Sequence, residues 1–281
     1  MNRIKRRGTM RSGKVARVAS LRAALWTRNL AASGVEDDNG TILKLFNRHN
    51  GAELRVVGTA HVSEASAEQV KRTIREYQPS TVMVELCQSR AEKLRRQLEK
   101  GHGGTMEEIL RLMIGPGTVG TKALQLGLGM FYRFFRSAGM DPGQEMIAAM
   151  QEADRIGAHL VYGDQDVRFT LSKLQQALSA ADILKILQPQ PVPEELKQLL
   201  GDSKDLKSAV ERMKNREAVR LMAEGMRKQL PHVVRIMLDE RDEYMAKVLH
   251  NMHGRVVAVV GLAHLDGIEK NWTSLEGSPS S

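Results

Sequence analysis

Short apolar runs alternate with amphipathic segments over most of the chain, from about residue 41 to residue 272. Residues 41–47 and 53–57 flank Asn50-Gly51 and predict a β-hairpin. The β-branched run at 81–86 is typical of a buried parallel strand, and shorter apolar runs at 159–162 and 255–260 predict two more. Strands that alternate with helices predict an α/β fold with a central sheet, parallel core strands and flanking helices.

Helical periodicity fills the segments between these strands. Apolar residues recur at helical spacing in 67–77, charged helix formers fill 89–100, and Asp141-Pro142-Gly143-Gln144 has the composition of a helix start. From about 174 to 253 the pattern is helical, with breaks at 188–193 and near Pro231. The fold therefore includes a large helical segment in the middle of the chain.

Changes in composition divide the chain into three parts. Residues 41–272 form one α/β domain, residues 1–35 form a basic leader, and residues 273–281 are predicted to be a disordered tail. The leader holds nine of the 42 Lys and Arg residues and no acid, which leaves 33 basic against 33 acidic side chains in the remainder. Because the body is neutral, a basic groove for nucleic acid is not predicted.

The leader is rich in Arg, Ser and Ala, which is typical of an organelle transit peptide. We expect it to direct the protein to mitochondria, with plastids or the cytoplasm as the alternatives if the leader is a targeting signal for another organelle or only a basic tail. The sequence has no stretch of ~20 apolar residues, so a transmembrane segment is not predicted. Peripheral association with a membrane or organelle stays open, as does the oligomeric state.

Four polar side chains follow predicted strands and indicate a site. They are His61, Glu85, Asp164 and His264. Because the carboxyl ends of parallel strands share one edge of a sheet, where ligands of open α/β sheets bind, we expect these side chains to converge. The single cysteine, Cys87, excludes a site built on several thiolates, so a metal would be held by His and carboxylate.

Each histidine at this edge belongs to a Gly-x-x-His motif, Gly58 to His61 and Gly261 to His264. Glycine allows a sharp turn after a strand, and a histidine three residues later can point into the crevice. Two imidazoles and Glu85 are sufficient ligands for a catalytic divalent metal. The alternative is that the histidines are core residues and that Glu85 forms an ion pair with a base such as Arg90.

Arg241 interrupts the apolar stripe of the last long helix, within Glu240-Arg241-Asp242. An arginine that faces a core requires a carboxylate or a ligand anion. We expect it to be buried and paired with Glu85, Glu145 or Asp164, either as a structural ion pair or as part of the site.

These motifs resemble those of the TraB family, which includes PrgY, Tiki and GumN proteins. The resemblance rests on Val57-Gly58-Thr59-Ala60-His61, Val84-Glu85-Leu86-Cys87 with Arg90, Gly143-x-Glu145-Met146, Glu240-Arg241-Asp242 and Val260-Gly261-Leu262-Ala263-His264. It implies a fold related to erythromycin esterases and ChaN-like proteins. It also implies a metal-dependent peptidase in which His61, Glu85 and His264 are the catalytic and metal-binding residues.

One residue departs from the family pattern, because Gln165 stands where an arginine usually follows Gly163-Asp164. Arg168 is the candidate to replace it in space. Two hypotheses follow. The first is a hydrolase that uses Mn²⁺, Co²⁺ or Zn²⁺ on a peptide or small-molecule substrate, with Gly58, Arg90, Glu145, Asp164, Glu240, Arg241, Asp242 and Gly261 in support. The second is a non-enzymatic binding or tethering protein of an organelle.

Overall fold

A computed structural model of the chain describes residues 40–59, 64–99, 143–179, 182 and 215–277. The strands are β1 (Ile42–Phe46), β2 (Glu53–Thr59), β3 (Thr81–Val84), β4 (His159–Tyr162) and β5 (Arg255–Gly261). The α-helices are α1 (Glu64–Tyr77), α2 (Gln88–Glu99), α3 (Gln144–Ile156), α4 (Val167–Ala177), α5 (Arg216–Gln229), α6 (Pro231–Val234), α7 (Glu240–His250) and α8 (Leu265–Gly277). A π-helical turn (Arg235–Asp239) precedes α7, and a 3₁₀ turn (Leu262–His264) precedes α8.

The five strands form one sheet in the order β1-β2-β5-β3-β4. β1 pairs with β2 in antiparallel fashion, and the other neighbours are parallel. The last strand in sequence therefore lies in the centre, between β2 and β3. Its register places Gly261 opposite Thr59 and Val259 opposite Val84, so that β2, β5 and β3 end at one edge.

Helices cover both faces of the sheet, because alternate residues of its central strands point to opposite sides. On one face, Val256, Ala258 and Val260 pack with residues of α7 and α8. On the other face, Val257 and Val259 pack with residues of α1, α2 and α3. The molecule is thus a mixed α/β fold in which β3 and β5 are buried beyond their first residues.

The hairpin and all three later strands agree with the sequence pattern, and three details differ. β3 ends at Val84, so Glu85 lies just past the strand rather than inside it. The helix start expected at Asp141 lies outside the described residues, and α3 begins after Gly143 in the left-handed conformation. α8 continues to Gly277, so residues 273–277 of the expected tail are helical because they extend an amphipathic helix that is anchored by Trp272.

The leader and the centre of the helical segment fall outside the described residues. The described flanks of that segment are helical, and Leu230 ends α5 just before Pro231 starts α6, as the sequence predicted. Among the described helices, none is long and apolar enough to cross a membrane.

Gly58 fixes the contact between the end of β2 and the start of α8, and therefore the approach to His264. A Cβ at this position would lie 2.6 Å from Leu265 Cδ1 and 2.9 Å from Leu262 Cδ1, both in buried side chains. We expect Gly58→Ala to lower the free energy of unfolding by about 1–3 kcal/mol, as overpacked cores do. Urea unfolding measures this change.

Gly225→Ala is the matched control, since a Cβ there would meet no atom within 4 Å in the middle of α5. Alanine is favoured over glycine in a helix, so this variant is expected to gain up to about 1 kcal/mol. Equal stabilities of the two variants would show that the β2–α8 contact can accommodate an added methyl group.

Candidate functional site

The carboxyl ends of β2, β5, β3 and β4 are neighbours, and the described polar residues that follow β5, β3 and β4 meet there. Glu85 follows β3, Asp164 follows β4 and His264 follows β5; all three side chains are buried and linked to one another directly or through Arg241. The predicted convergence is therefore confirmed for these three. His61, which follows β2, lies outside the described residues.

Glu85 is bonded through both carboxylate oxygens. Oε1 accepts a short hydrogen bond from Arg241 Nη2, and Oε2 accepts one from the backbone N–H of Gly261 at 2.5 Å. The Glu85 N–H in turn donates to the carbonyl of Val259 at 3.0 Å. The carboxylate is consequently fixed between the central strand and α7.

Arg241 joins two carboxylates that leave different strands. Its Nε and Nη2 donate to the two oxygens of Asp164 at 3.0 and 2.9 Å, and its Nη1 donates to the carbonyl of Met237 in the π-helical turn at 3.1 Å. Burial by itself lowers the pKa of Arg241. The charges and hydrogen bonds of Glu85 and Asp164 outweigh this effect, so the pKa lies above that of a free arginine. The guanidinium is buried and paired as its place in the helix stripe predicted, with Glu85 and Asp164 rather than Glu145.

His264 lies between two carboxylates. Its Nδ1 is 2.6 Å from Asp242 Oδ1, and its Nε2 is 3.1 Å from Glu85 Oε1. Because ionised carboxylates only accept hydrogen bonds, both ring nitrogens carry a proton in this arrangement. Burial lowers the pKa of His264, but the charge of Glu85 and the bonds to Asp242 and Glu85 raise it to about 9. The ring is therefore an imidazolium at neutral pH.

Asp242 is held on its other side by α8. A Cβ at Gly267 would lie 1.9 Å from Asp242 Oδ2, so only glycine lets this helix approach the carboxylate. Burial raises the pKa of Asp242, and the hydrogen bond from His264 opposes that rise. Gly267 was not predicted to support the site. A glycine three residues after His264, in the first turn of a helix, was the available signal.

The charges of the cluster balance. Three carboxylates, Glu85, Asp164 and Asp242, face the protonated His264 and Arg241, and Arg90 Nη1 adds a third positive charge 3.6 Å from Asp164 Oδ2. Arg90 therefore pairs with Asp164 and not with Glu85, its expected partner in the structural interpretation. Balance of this kind offsets the cost of removing several charges from water.

Two residues expected in support of the site lie elsewhere. Glu240 faces the surface, where its carboxylate binds Lys173 Nζ at 2.6 Å. Glu145 is fully buried in the first turn of α3, but it is not a partner of Arg241 among the described contacts.

Gln165 and Arg168 also point away from the cluster. The Gln165 side chain donates to Thr170 Oγ1 at 3.0 Å, which stabilises the start of α4. Arg168 is exposed and binds Asp166 at 2.7 Å, so it does not occupy the place of the arginine that Gln165 replaces.

Two atoms of the cluster have the spacing of ligands to one metal ion. Zinc binds imidazole nitrogen and carboxylate oxygen at about 2.0–2.2 Å, which leaves adjacent ligand atoms roughly 3 Å apart. Glu85 Oε1 and His264 Nε2 are separated by 3.1 Å. The Asp242 contact at Nδ1 matches the outer carboxylate that orients metal-binding histidines. Glu85 and His264 therefore fit a metal, provided that Nε2 loses its proton.

A cavity of about 370 Å³ opens beside Asp242, between α5 and the start of α8. Its wall includes apolar groups of Leu262, Ala263 and Val219 together with Arg227 and Lys270. The cavity thus reaches the carboxylate behind His264 from outside.

Known proteins are similar to this chain in sequence. Proteins named "TraB domain-containing protein" from Bos taurus and Homo sapiens are 31% and 29% identical over 255 aligned residues, which cover 80% of this chain and 64% of theirs. An uncharacterised protein of Methanocaldococcus jannaschii is 30% identical over 239 aligned residues, 83% of this chain and 57% of that protein. The chain thus spans less than two thirds of the length of these relatives.

The sequence profile of the TraB/PrgY/gumN family matches residues 45–278. This range includes the five-stranded sheet almost entirely, both Gly-x-x-His motifs and the cluster around Arg241. The chain belongs to the TraB/PrgY/gumN family.

Proposed function

We propose that this protein is a metal-dependent hydrolase of the peptidase type, in which Glu85 and His264, together with His61, hold a divalent ion such as Mn²⁺, Co²⁺ or Zn²⁺. One observation supports this most directly: His264 presents Nε2 to Glu85 at 3.1 Å while Asp242 holds Nδ1 at 2.6 Å. The peptide class of substrate follows from the family resemblance, as does the relation to erythromycin esterases and ChaN-like proteins.

The bound ion would supply Lewis-acid activation of water and of the scissile carbonyl. Asp242 keeps the proton on Nδ1 and so leaves Nε2 as the ligand atom. Gly261 N–H and Arg241 fix the Glu85 carboxylate, and Asp164 fixes Arg241 in turn. Thr59, the last residue of β2, pairs with Gly261, so β2 ends beside the residue whose N–H binds this carboxylate.

A second function is favoured by the contacts of Arg241. Its guanidinium bonds to Glu85 at the oxygen that faces His264, so the carboxylate is already neutralised without a metal. In this alternative the cluster only locks the fold, and the domain serves as a binding or tethering module. Residues 1–35 would direct either form of the protein to mitochondria.

Metal binding separates the two functions. We expect Glu85→Gln and His264→Ala to weaken binding of Mn²⁺, Co²⁺ or Zn²⁺ at least tenfold and to abolish hydrolysis of unstructured peptides. Each removes one of the two ligand atoms described above, and the amide introduced by Glu85→Gln is a much poorer ligand than a carboxylate. Equilibrium dialysis of protein without a histidine tag measures the affinity, and a chelator series measures the dependence of activity.

Glu240→Gln is the matched control, because it neutralises a carboxylate of α7 that pairs with Lys173 and Arg235 and has no contact with the cluster among the described ion pairs. It should retain metal binding and activity. If Glu85→Gln and His264→Ala fold normally and retain both metal binding and activity, the hydrolase is contradicted and the tethering function is favoured.

The pKa of His264 predicts how metal binding depends on pH. The ion must displace the proton from Nε2, and the folded protein holds this proton up to a pKa of about 9. The affinity should therefore rise about tenfold for each pH unit up to a pH of about 9 and level off above it. Isothermal titration in several buffers, which also counts the released proton, is the measurement. An affinity independent of pH over this range would exclude His264 as a ligand.

Arg241 should make a large contribution to the free energy of unfolding under either function. Arg241→Ala leaves Glu85 buried without its strongest partner, and loss of one partner of a buried pair typically costs ~3–5 kcal/mol. Arg241→Lys should recover only part of this loss, because an ammonium cannot bond to both oxygens of Asp164 and to Glu85 in the same planar arrangement. Unfolding in urea measures both changes.

Arg227→Ala provides the comparison. Arg227 also binds a carboxylate through two nitrogens, at 2.6 and 2.7 Å from Asp239, but on the surface. Exposed pairs contribute ~1 kcal/mol or less. If the two alanine variants lose the same stability, the buried network is not a major determinant of the fold.

A further inference from the structure

A second group of potential metal ligands lies at the opposite edge of the sheet. His49 belongs to the β1–β2 hairpin, His250 ends α7, and Glu276 lies in the last turn of α8. We call these three residues the hairpin-edge cluster. β5 runs from this edge to the Glu85 edge in seven residues, a distance of about 20 Å at ~3.3 Å per residue. The cluster is therefore separate from the site proposed above.

The ligand atoms of the cluster are already close together. One nitrogen of each imidazole and one carboxylate oxygen lie within 4.8 Å of one another. His250 Nε2 is 3.0 Å from Glu276 Oε1, and the two imidazole rings meet edge to face with centroids 5.5 Å apart. Among the residues that the structure describes, this is the group of three or more such side chains that meets that spacing.

Neighbouring groups hold the three segments that carry these side chains in place. Asn47 accepts a hydrogen bond from the backbone of His49 at 2.8 Å and donates one to the carbonyl of His250 at 2.7 Å. The Arg48 backbone N–H donates to Glu276 Oε2 at 3.1 Å, and the buried ring of Trp272 packs edge to face against His250 at 5.2 Å. Little ordering is left for a ligand to impose, since three remote segments are already fixed.

We propose that the hairpin-edge cluster binds a divalent transition-metal ion, Zn²⁺, Ni²⁺ or Cu²⁺. A site of two imidazole nitrogens and one carboxylate oxygen favours such ions over Mg²⁺ or Ca²⁺. Glu276 binds through Oε1 while Oε2 stays with Arg48, which is how an outer hydrogen bond orients a ligating carboxylate. The bound ion joins the hairpin to the ends of α7 and α8 and stabilises the native state by mass action.

Trp272 makes this site directly observable. The chain has two tryptophans, Trp26 and Trp272, so Trp26→Phe in the full-length protein leaves a single emitter in contact with His250. We expect Cu²⁺ or Ni²⁺ to quench this emission in a saturable way with one ion per chain. Zn²⁺ should compete with them and raise the melting temperature.

Two ligand variants and one control complete the experiment. His49→Ala and Glu276→Gln should each weaken the quenching at least tenfold and reduce the Zn²⁺-dependent rise in melting temperature. His49 is exposed, so its removal spares the core. His253→Ala removes an exposed histidine of the loop between α7 and β5 and should change neither. Glu85→Gln should also leave the quenching unchanged. The experiment therefore distinguishes failure of the hairpin-edge proposal from failure of the proposed hydrolytic site.

Quenching that is non-saturable, or that persists unchanged in both His49→Ala and Glu276→Gln, would overturn the proposal. So would an equal loss in His253→Ala, which would indicate weak binding to surface histidines. In those cases the contact between His250 and Glu276 only stabilises the packing of α8 against the end of α7.

Discussion

The buried charge of Arg241 is the constraint on which the rest of this edge depends. Its guanidinium bonds to carboxylates that leave two different strands, and to a carbonyl in the π-helical turn. Charges removed from water are tolerated only when partners are in place, so α7, β3 and β4 must dock together. His264 and Asp242 then complete a set of six charges that balance. The geometry of the site and the packing of α7 against the sheet consequently depend on the same contacts.

The same contacts that stabilise the cluster would also prepare it for the proposed chemistry. His264 is oriented by Asp242 and protonated because of Glu85, and a metal ion would take the place of one proton at Nε2. Exchange of a proton for a cation keeps the local charge positive, so Glu85 and Arg241 need not separate. In the proposed function, the cluster would stabilise the fold without a metal and would become a hydrolytic site when a metal binds.

The two edges of the sheet have different characters. The carboxyl edge is a buried network of charges in which every described oxygen of Glu85 and Asp164 is bonded. The hairpin edge is partly open to solvent, and its imidazoles meet a single carboxylate. α7 and α8 contribute to both, since Arg241 and His250 lie at opposite ends of one helix. Binding at the hairpin edge would therefore stabilise the helix that carries Arg241.

The sequence determined the α/β fold, the position of Glu85, Asp164 and His264 after three strands, and the burial of Arg241, because periodicity and an interrupted apolar stripe are local signals. It also indicated the family through two Gly-x-x-His motifs. Only the tertiary structure decided that Asp164 and Glu85, rather than Glu145, share Arg241, that Arg90 serves Asp164, and that Glu240 faces solvent. It alone joined His49, His250 and Glu276, which are up to 227 positions apart. Partners of this kind are set by strand order and helix packing, and neither leaves a pattern in the neighbouring sequence.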